Sequence, residues 1–343
     1  MRLTINDIAK KANVSKSTVS RVLNNSGYVN QETREKVEKV IKENAYYPSA
    51  QARSLSKRES NTVGVIIPEA DNLFFVEVLR GISEVVDESD MTLIFCNTNN
   101  NLRKEKRALD TIIMQRVKGL IFTPVNDHSN DETEHKLKQK LRAINIPTVL
   151  LDRGVENSEW DGVFFENYKS AYKATEILIN EGHKKIGVIT GDLNLKIGRD
   201  RYQGFLDALK DHNMPVLEKY VYVGDFTVEK AYEISKEFLE NNDLPEAILT
   251  SNNRTTLGLL KALNEKKVIP GKDIAVIGID SIEVLDILDY KISCVTRDAV
   301  EMGRVAMRLL LERFDNPKKE RQNYIMPFKI NLKGSEKRVR NKK

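Results

Sequence analysis

Short apolar runs alternate with amphipathic stretches along most of the chain, beginning near residue 61. The first four runs cover 62–68, 91–96, 117–122 and 146–152, and segments of helical periodicity lie between them. A strand buried on both faces forms a continuous apolar run, and two parallel strands need a crossover, which is usually a helix. The pattern therefore predicts a parallel sheet covered by helices.

The same alternation resumes after a polar stretch at 155–161. This second block predicts strands at 184–190, 219–223, 246–251 and 273–280, with helices near 168–181, 198–212, 228–241 and 255–266. Two successive blocks of similar size predict two Rossmann-like lobes.

Polar side chains follow several of these strands, at the edge where α/β folds bind ligands. They are Asp71, Asn72, Asn97, Thr98, Asp152, Arg153, Asn252, Asn253 and Asp280. Arg199 and Arg201 open the helix after 184–190, and Phe226 with Phe74 or Phe75 offers an aromatic face. Carboxylates and amides accept hydrogen bonds from hydroxyl groups and arginine donates two, so the pattern predicts a polar, hydroxylated ligand between the lobes. A competing interpretation makes Asn72 and Asn252 plain helix caps and one of the two phenylalanines a core residue.

Positive charge is concentrated at the two ends of the chain. Residues 1–60 hold 12 Lys+Arg against 6 Asp+Glu, and 333–343 hold 6 against 1, while 61–332 hold 37 against 43. The segment 1–60 is expected to bind a polyanion, because its positive charge coincides with the three-helix pattern of residues 4–44. The end of the chain, 336–343, has no periodicity and is predicted to be a disordered basic tail.

The caps and the apolar spacing within residues 4–44 predict three short helices. Thr4 and Asp7 have the spacing of a capping box, Ser15 caps a second helix that runs to about Asn24, and a third helix covers about 31–44. The inward positions of the three are Ile5, Ile8, Ala9, Val19, Val22, Leu23, Val37, Val40 and Ile41. The second helix then turns short polar and basic side chains outward, as a helix that reads the major groove does. A purely structural three-helix module is the alternative.

The segment 4–26, TINDIAKKANVSKSTVSRVLNNS, resembles the headpiece of the lactose-repressor/galactose-repressor (LacI/GalR) family of bacterial regulators. The resemblance extends over 27–55 and over the body, through runs such as ILINEGHKKIGVITG (177–191), RYQGFLDAL (201–209) and DIAVIGIDS (273–281). It implies an all-α helix-turn-helix headpiece at 1–47 and an effector-binding and dimerisation domain at 61–335, similar to type I periplasmic binding proteins. The chain then crosses between the lobes three times, and we expect one lobe at about 61–158 and 290–320 and the other at about 159–289 and 321–335.

The resemblance also implies which residues contact DNA. Lys16, Ser17 and Arg21 match positions that read bases, and Thr18, Ser20 and Asn24 match positions that touch phosphates. The segment 48–60 is implied to be a hinge helix and linker, in which Ala52 belongs to the matching run and Leu55 matches a residue that wedges between base steps. The residues alone favour a plain linker there.

In the body, the resemblance favours Arg199, Asn252 and Asp280 as ligand contacts, with Asp152, Asn72, Phe74 and Phe226 beside them. Thr296 and Arg297 stand where the family usually has Arg and Gln. Arg297, Arg254 and Lys196 would make the cleft more positive if they face inward, which favours a sugar acid over a neutral sugar. Cations placed on the surface are the alternative.

Several functions find no support in the residues. The sequence has no catalytic constellation, no Gly-Lys-Ser/Thr phosphate loop and no metal-ligand spacing, and His128 and His135 lie in a stretch predicted to be a solvated loop. No membrane span or signal peptide is apparent, and Cys96 and Cys294 fit buried thiols, so we expect a cytoplasmic, nucleoid-associated protein without cofactor, metal or catalytic activity.

The resulting hypothesis is a homodimeric repressor that binds double-stranded palindromic operator DNA under the control of a sugar or sugar acid. Two alternatives stay open: a catabolite-type regulator controlled by a phosphorylated carrier protein, and a regulator with a non-sugar effector.

Overall fold

The computed structural model describes residues 3–46, 61–126, 131–155, 157–241 and 243–337, with backbone alone for 131–134. The chain divides into two compact units, 1–61 and 62–343, which are described separately below. The predicted hinge and linker at 48–60 lie outside the described residues.

The first unit is a three-helix module. Helices α1 (Ile5–Ala12), α2 (Lys16–Asn24) and α3 (Gln31–Glu43) follow the predicted order. Thr4 and Asp7 form the expected capping box, and the Ser15 hydroxyl accepts from the Thr18 N–H at 3.1 Å. The predicted core forms, with Ile8, Ala9, Val19, Val22 and Val37 buried and Ile5, Leu23, Val40 and Ile41 packed against them.

The second unit holds two six-stranded sheets, one in each lobe. In lobe one the strand order is β11 (Asn323–Met326), β5 (Asp161–Phe165), β4 (Thr148–Leu151), β3 (Gly119–Phe122), β1 (Thr62–Ile67) and β2 (Thr92–Asn97), all parallel. Helices α4 (Leu73–Glu88) and α12 (Ala299–Asp315) cover one face, and α5 (Leu102–Gln115) and α6 (Asp131–Ile144) cover the other. His135 therefore lies in a helix, α6, rather than in the solvated loop predicted there.

Lobe two repeats this architecture. Its strand order is β12 (Phe328–Asn331), β10 (Ser293–Arg297), β9 (Ala275–Ile279), β8 (Ala247–Thr250), β6 (Ile186–Ile189) and β7 (Val221–Tyr222), with β12 antiparallel to β10. The covering helices are α7 (Asn167–Asn180), α8 (Lys196–Asp211), α9 (Val228–Phe238) and α10 (Asn253–Glu265), and the short α11 (Glu283–Ile287) follows β9.

The chain passes between the lobes at 165–167, 297–299 and 326–328, so the predicted lobe boundaries are wrong by one strand at each crossing. Strands β5 and β11 belong to lobe one and β10 to lobe two, the reverse of the prediction. At each crossing, the last strand before the chain passes to the other lobe still pairs with the sheet of the lobe that the chain is leaving. An apolar run in the sequence does not reveal with which sheet the strand pairs.

The predicted disordered tail begins too early. Ser335 and Glu336 are buried, and the Glu336 carboxylate accepts from the Ser293 hydroxyl and from the Gly334 N–H. These contacts hold the chain on lobe two as far as Glu336, because a buried carboxylate requires hydrogen-bond donors. Residues 338–343 lie outside the described part.

Candidate functional site

The outer face of α2 carries the residues predicted to contact DNA. Lys16, Ser17 and Arg21 are exposed, while Val19 and Val22 turn into the core. This division follows from the 3.6-residue period, which puts positions 16, 17 and 21 away from positions 19 and 22. The helix therefore presents an amine, a hydroxyl and a guanidinium group on one side.

Hydroxyl groups at the start of α2 are held in place by one another. The Ser15 Oγ lies 2.7 Å from the Ser17 Oγ and 2.9 Å from the Thr18 Oγ1, and the Asn24 amide donates to the Ser20 Oγ at 3.3 Å. Thr18, Ser20 and Asn24 are half-buried along the same helix. Ala52 and Leu55 lie outside the described residues.

Tyr28 was not singled out from the sequence. Its side chain is 88% exposed in the loop that follows α2, although tyrosine rings in folded proteins are usually half-buried or more. An exposed aromatic ring next to a polar helix is a signal that only the three-dimensional arrangement shows.

In the second unit, most of the predicted ligand contacts come together around one small cavity between the lobes. The predicted residues that line it are Asn72, Phe74, Asp152, Phe226, Asn252 and Asp280. Asn97 and Thr98 do not line it. The cavity measures about 30 Å³, which is the space of one or two water molecules.

Asn72 and Asn252 cap helices and also line the cleft, so the two interpretations of these residues do not exclude each other. Asn72 caps α4 and Asn252 caps α10. The Asn72 Oδ1 additionally accepts from the Asn253 amide at 3.1 Å, which joins lobe one to lobe two. Because a helix N-terminus follows each strand in this fold, cap positions and cleft positions coincide.

Arg297 occupies the centre of the cleft. Its Nη1 donates to Asp152 at 2.5 Å, and its Nε and Nη2 donate to the two oxygens of Asp280 at 2.8 and 3.2 Å. The guanidinium carbon lies 3.5 Å from the centre of the Phe74 ring and 5.1 Å from that of Phe165. Burial opposes the charge of Arg297, but the two aspartates raise the pKa of its guanidinium above the ordinary value.

Arg199, predicted to contact the ligand, does not line this cavity. Its side chain is exposed and donates to the backbone oxygens of Leu193 and Asn194. Arg201 lines the cavity instead. Two residues along a helix correspond to a rotation of about 200°, so the two arginines point in opposite directions.

Arg201 is 2% exposed, and within the described part of the chain its hydrogen bonds go to neutral groups. Its Nε donates to the Asn167 Oδ1 at 2.8 Å and its Nη1 donates to the Ser251 carbonyl, while its Nη2 has no partner. Burial, together with the nearby charge of Arg297, lowers the pKa of the Arg201 guanidinium to about 10. The ring centre of Phe226 lies 5.7 Å away.

Three cleft residues have left-handed backbone conformations: Asp152 with φ +60°, Phe226 with φ +70° and Asp280 with φ +69°. Such conformations are strained in residues other than glycine and concentrate at functional sites. The Phe226 ring packs directly against Gly191, where any side chain would collide with it, because a Cβ on residue 191 would lie 1.9 Å from the ring.

A second, larger cavity of about 510 Å³ adjoins the first. The two share Asp152, Arg153 and Ile197, and Phe164, Phe165, Leu195 and Ile325 give the larger one apolar walls. Lys196 and Arg199 line it, and Lys196 pairs with Asp200 at 2.5 Å. Cavities of this size match those that hold small organic ligands.

Six further residues of the described part line the cleft that were not assigned as ligand contacts, although Phe75, Arg153, Arg201 and Arg297 were among the candidates considered from the sequence. The six are Glu69, Phe75, Arg153, Ile197, Arg201 and Arg297. Among the described residues, no group of three His, Cys, Asp or Glu side chains is arranged to hold a metal ion, and no helix is long and apolar enough to cross a membrane.

Comparison with known proteins matches both units. Residues 4–49 match the model of "Bacterial regulatory proteins, lacI family", and residues 60–321 match that of "Periplasmic binding proteins and sugar binding domain of LacI family". The chain is 33% identical over 325 residues to the HTH-type transcriptional repressor PurR of Actinobacillus pleuropneumoniae, covering 95% of each protein. It is 33% identical over 321 residues to PurR of Haemophilus influenzae, covering 94% of each.

Solved structures show the same fold. A LacI-family regulator from Silicibacter pomeroyi has a TM-score of 0.82 at 26% identity, covering 98% of this chain and 100% of the other. The regulator CelR in complex with cellobiose gives 0.72 at 25% identity, covering 97% and 100%. The lac repressor dimer bound to operator gives 0.82 at 23% identity, covering 98% and 100%. The chain belongs to the LacI family of bacterial regulatory proteins, which are DNA-binding transcriptional repressors controlled by small molecules.

Proposed function

We propose that this chain is a homodimeric repressor of carbohydrate-use genes, and that a sugar or sugar acid in the interlobe cleft sets its affinity for a palindromic operator. It acts on the nucleoid in the bacterial cytoplasm and carries out no catalysis. The observation that carries the proposal is the cleft itself, where Asp152, Arg201, Asn252 and Asp280 surround one cavity with the aromatic rings of Phe74 and Phe226.

Carbohydrate recognition suits this set of groups. Hydroxyl groups need carboxylate and amide acceptors and guanidinium donors, and an aromatic ring packs against the C–H face of a sugar. The matched family model describes a sugar-binding domain, and the solved CelR structure is a cellobiose complex. Both support a carbohydrate, and the PurR relatives, which are more similar in sequence, make a non-sugar effector the second candidate.

The mechanism rests on two lobes that approach or separate around the ligand. Asp152 and Asn72 belong to lobe one, whereas Asn252 and Asp280 belong to lobe two, so a bound ligand contacts both. A ligand with different affinities for two lobe arrangements shifts their equilibrium, and the operator affinity of the dimer shifts with it.

Arg21 provides the test of DNA reading. Selection of duplexes from a random pool by the full chain should yield a palindrome, because a symmetric dimer places one α2 on each half-site. Arg21→Ala should lower affinity for the selected operator by about 1–3 kcal/mol and relax the preference at one base pair of each half-site. Equal losses on operator and on random duplexes would contradict base reading by Arg21, and Lys39→Ala on α3 is the control for loss of one positive charge.

A further inference from the structure

We propose that Arg297 makes the interlobe cleft selective for a small hydroxylated carboxylate, a sugar acid, over a neutral sugar. This inference rests on the proposed function of the cleft and specifies the chemical class of its ligand. It starts from the side chain at the centre of the cleft, whose guanidinium group binds the carboxylates of both lobes.

Arg297 uses the acceptors that a neutral sugar would need. Asp152 receives one hydrogen bond from it and Asp280 receives two, and all three side chains are at most 7% exposed. Paired charge-assisted hydrogen bonds of this kind are about twice as strong as neutral ones. A neutral sugar that donates its hydroxyl groups to Asp152 and Asp280 must break these bonds and leave a buried guanidinium without its partners, which is costly.

Two other buried arginines line the same cavity, and neither has a carboxylate partner among the residues that the structure describes. The Arg201 Nη2 and the Arg153 Nε are buried and unpartnered, and their remaining hydrogen bonds go to amide and backbone oxygens. Arg153 and Arg201 are 5% and 2% exposed. Glu69, the third acidic side chain of the lining, is already bound by the Asn72 and Asn100 amides, with Arg254 3.8 Å away.

A ligand with a carboxylate group fits a cavity in which, within the described ranges, the acidic side chains already have partners and two of the arginines have no acidic partner. It brings a negative charge to the two guanidinium groups that have no carboxylate partner, and it leaves the bonds between Arg297 and the aspartates intact. The cavity of about 30 Å³ is too small for a sugar ring and admits at most a small head group. The adjoining cavity of about 510 Å³, which shares Asp152 and Arg153 with the first, has room for the hydroxylated remainder.

The test compares matched acid and neutral compounds on the full chain: glucuronate with glucose, galacturonate with galactose, and gluconate with sorbitol. Calorimetric titration should give wild-type Kd values at least about tenfold lower for the acid of the best-binding pair. Arg297→Gln frees both aspartates, so the acid preference of that pair should fall at least about tenfold and the neutral member should bind more tightly. Arg297→Lys, which retains the charge, should keep the preference and serves as the second variant if the glutamine variant does not fold.

Arg313→Gln is the matched control, because Arg313 forms a similar two-bond pair with Asp161 inside lobe one and neither residue lines the two cavities. Its acid preference should equal that of the wild type. Tighter wild-type binding of neutral members, tighter binding of glucose 6-phosphate than of any carboxylate, or an unchanged acid preference in Arg297→Gln would overturn the proposal. If neutral sugars alone alter operator affinity, ligand control stands and the selectivity proposal falls; if no compound of either class alters it, both fall.

Discussion

At the residue scale, Glu105 of α5 is a carboxylate whose burial opposes its negative charge. It is 4% exposed and accepts a hydrogen bond from the Val125 N–H at 2.6 Å. Burial raises the pKa of Glu105 from its ordinary 4.5 to about 6, although the bond from Val125 and the charge of Arg153 act in the opposite direction. Its ionisation at neutral pH therefore costs folding free energy.

The sign of the resulting pH dependence follows from proton binding. Between pH 6 and pH 4.5 the folded chain binds more protons at Glu105 than the unfolded chain, so this residue raises the free energy of unfolding as the pH falls. Relative to Glu105→Gln, which does not titrate, the wild type should gain about 1.5 kcal/mol between pH 7 and pH 4.5. Urea unfolding of both proteins at the two pH values measures this gain, and equal changes in both would contradict it.

The cleft shows how far single residues can be predicted. Asp152, Asn252 and Asp280 follow strands, and topology alone brings strand ends together. Whether Arg199 or Arg201 faces the cleft depends on the rotation of α8 about its axis. The sequence does not determine this rotation, because the start of α8 is polar and carries both arginines. Arg297 is the last residue of β10, a strand assigned to the wrong sheet, so its position at the centre of the cleft became visible only in three dimensions.

At the element scale, backbone contact between α4 and α12 stabilises lobe one. A Cβ on Gly303 would lie 2.1 Å from the Val78 carbonyl oxygen, and one on Gly81 would lie 1.9 Å from that of Val300. The two helices touch at these glycines, with the buried side chains of both packed against the sheet.

Gly303→Ala tests this contact through the sign of its effect. Alanine in a helix interior normally stabilises by about 1 kcal/mol relative to glycine. Here the added methyl group must push α4 away, so we expect a loss of about 1–3 kcal/mol in the free energy of unfolding. Ser83→Ala, on the half-buried face of α4, should change it by less than about 0.5 kcal/mol. Stabilisation by Gly303→Ala would contradict the close contact.

The elements themselves were largely predictable, because caps and apolar periodicity are local signals. Thr4, Asp7 and Ser15 begin their helices as expected, and the eight strands predicted within the two blocks are present. The three crossing strands were assigned to the wrong lobes, since their pairing partners are distant in sequence and leave no local pattern.

At the scale of the whole molecule, a DNA-binding unit and an effector-binding unit belong to one chain. The family model matches assign both units to one type of regulator, and side chains from both lobes line the cleft. Control then requires that occupation of the cleft change DNA affinity, which is a coupling free energy between two sites.

The most direct measurement is the Kd of the full chain for its selected operator, by fluorescence anisotropy, with and without the tightest-binding compound of the sugar and sugar-acid panel. We expect the Kd to change about fivefold or more at saturation. We expect no change in Arg201→Gln, which should still bind the operator because Arg201 lies in the other unit. An unchanged wild-type Kd at saturating ligand, or an equal shift in Arg201→Gln, would contradict control through this cleft.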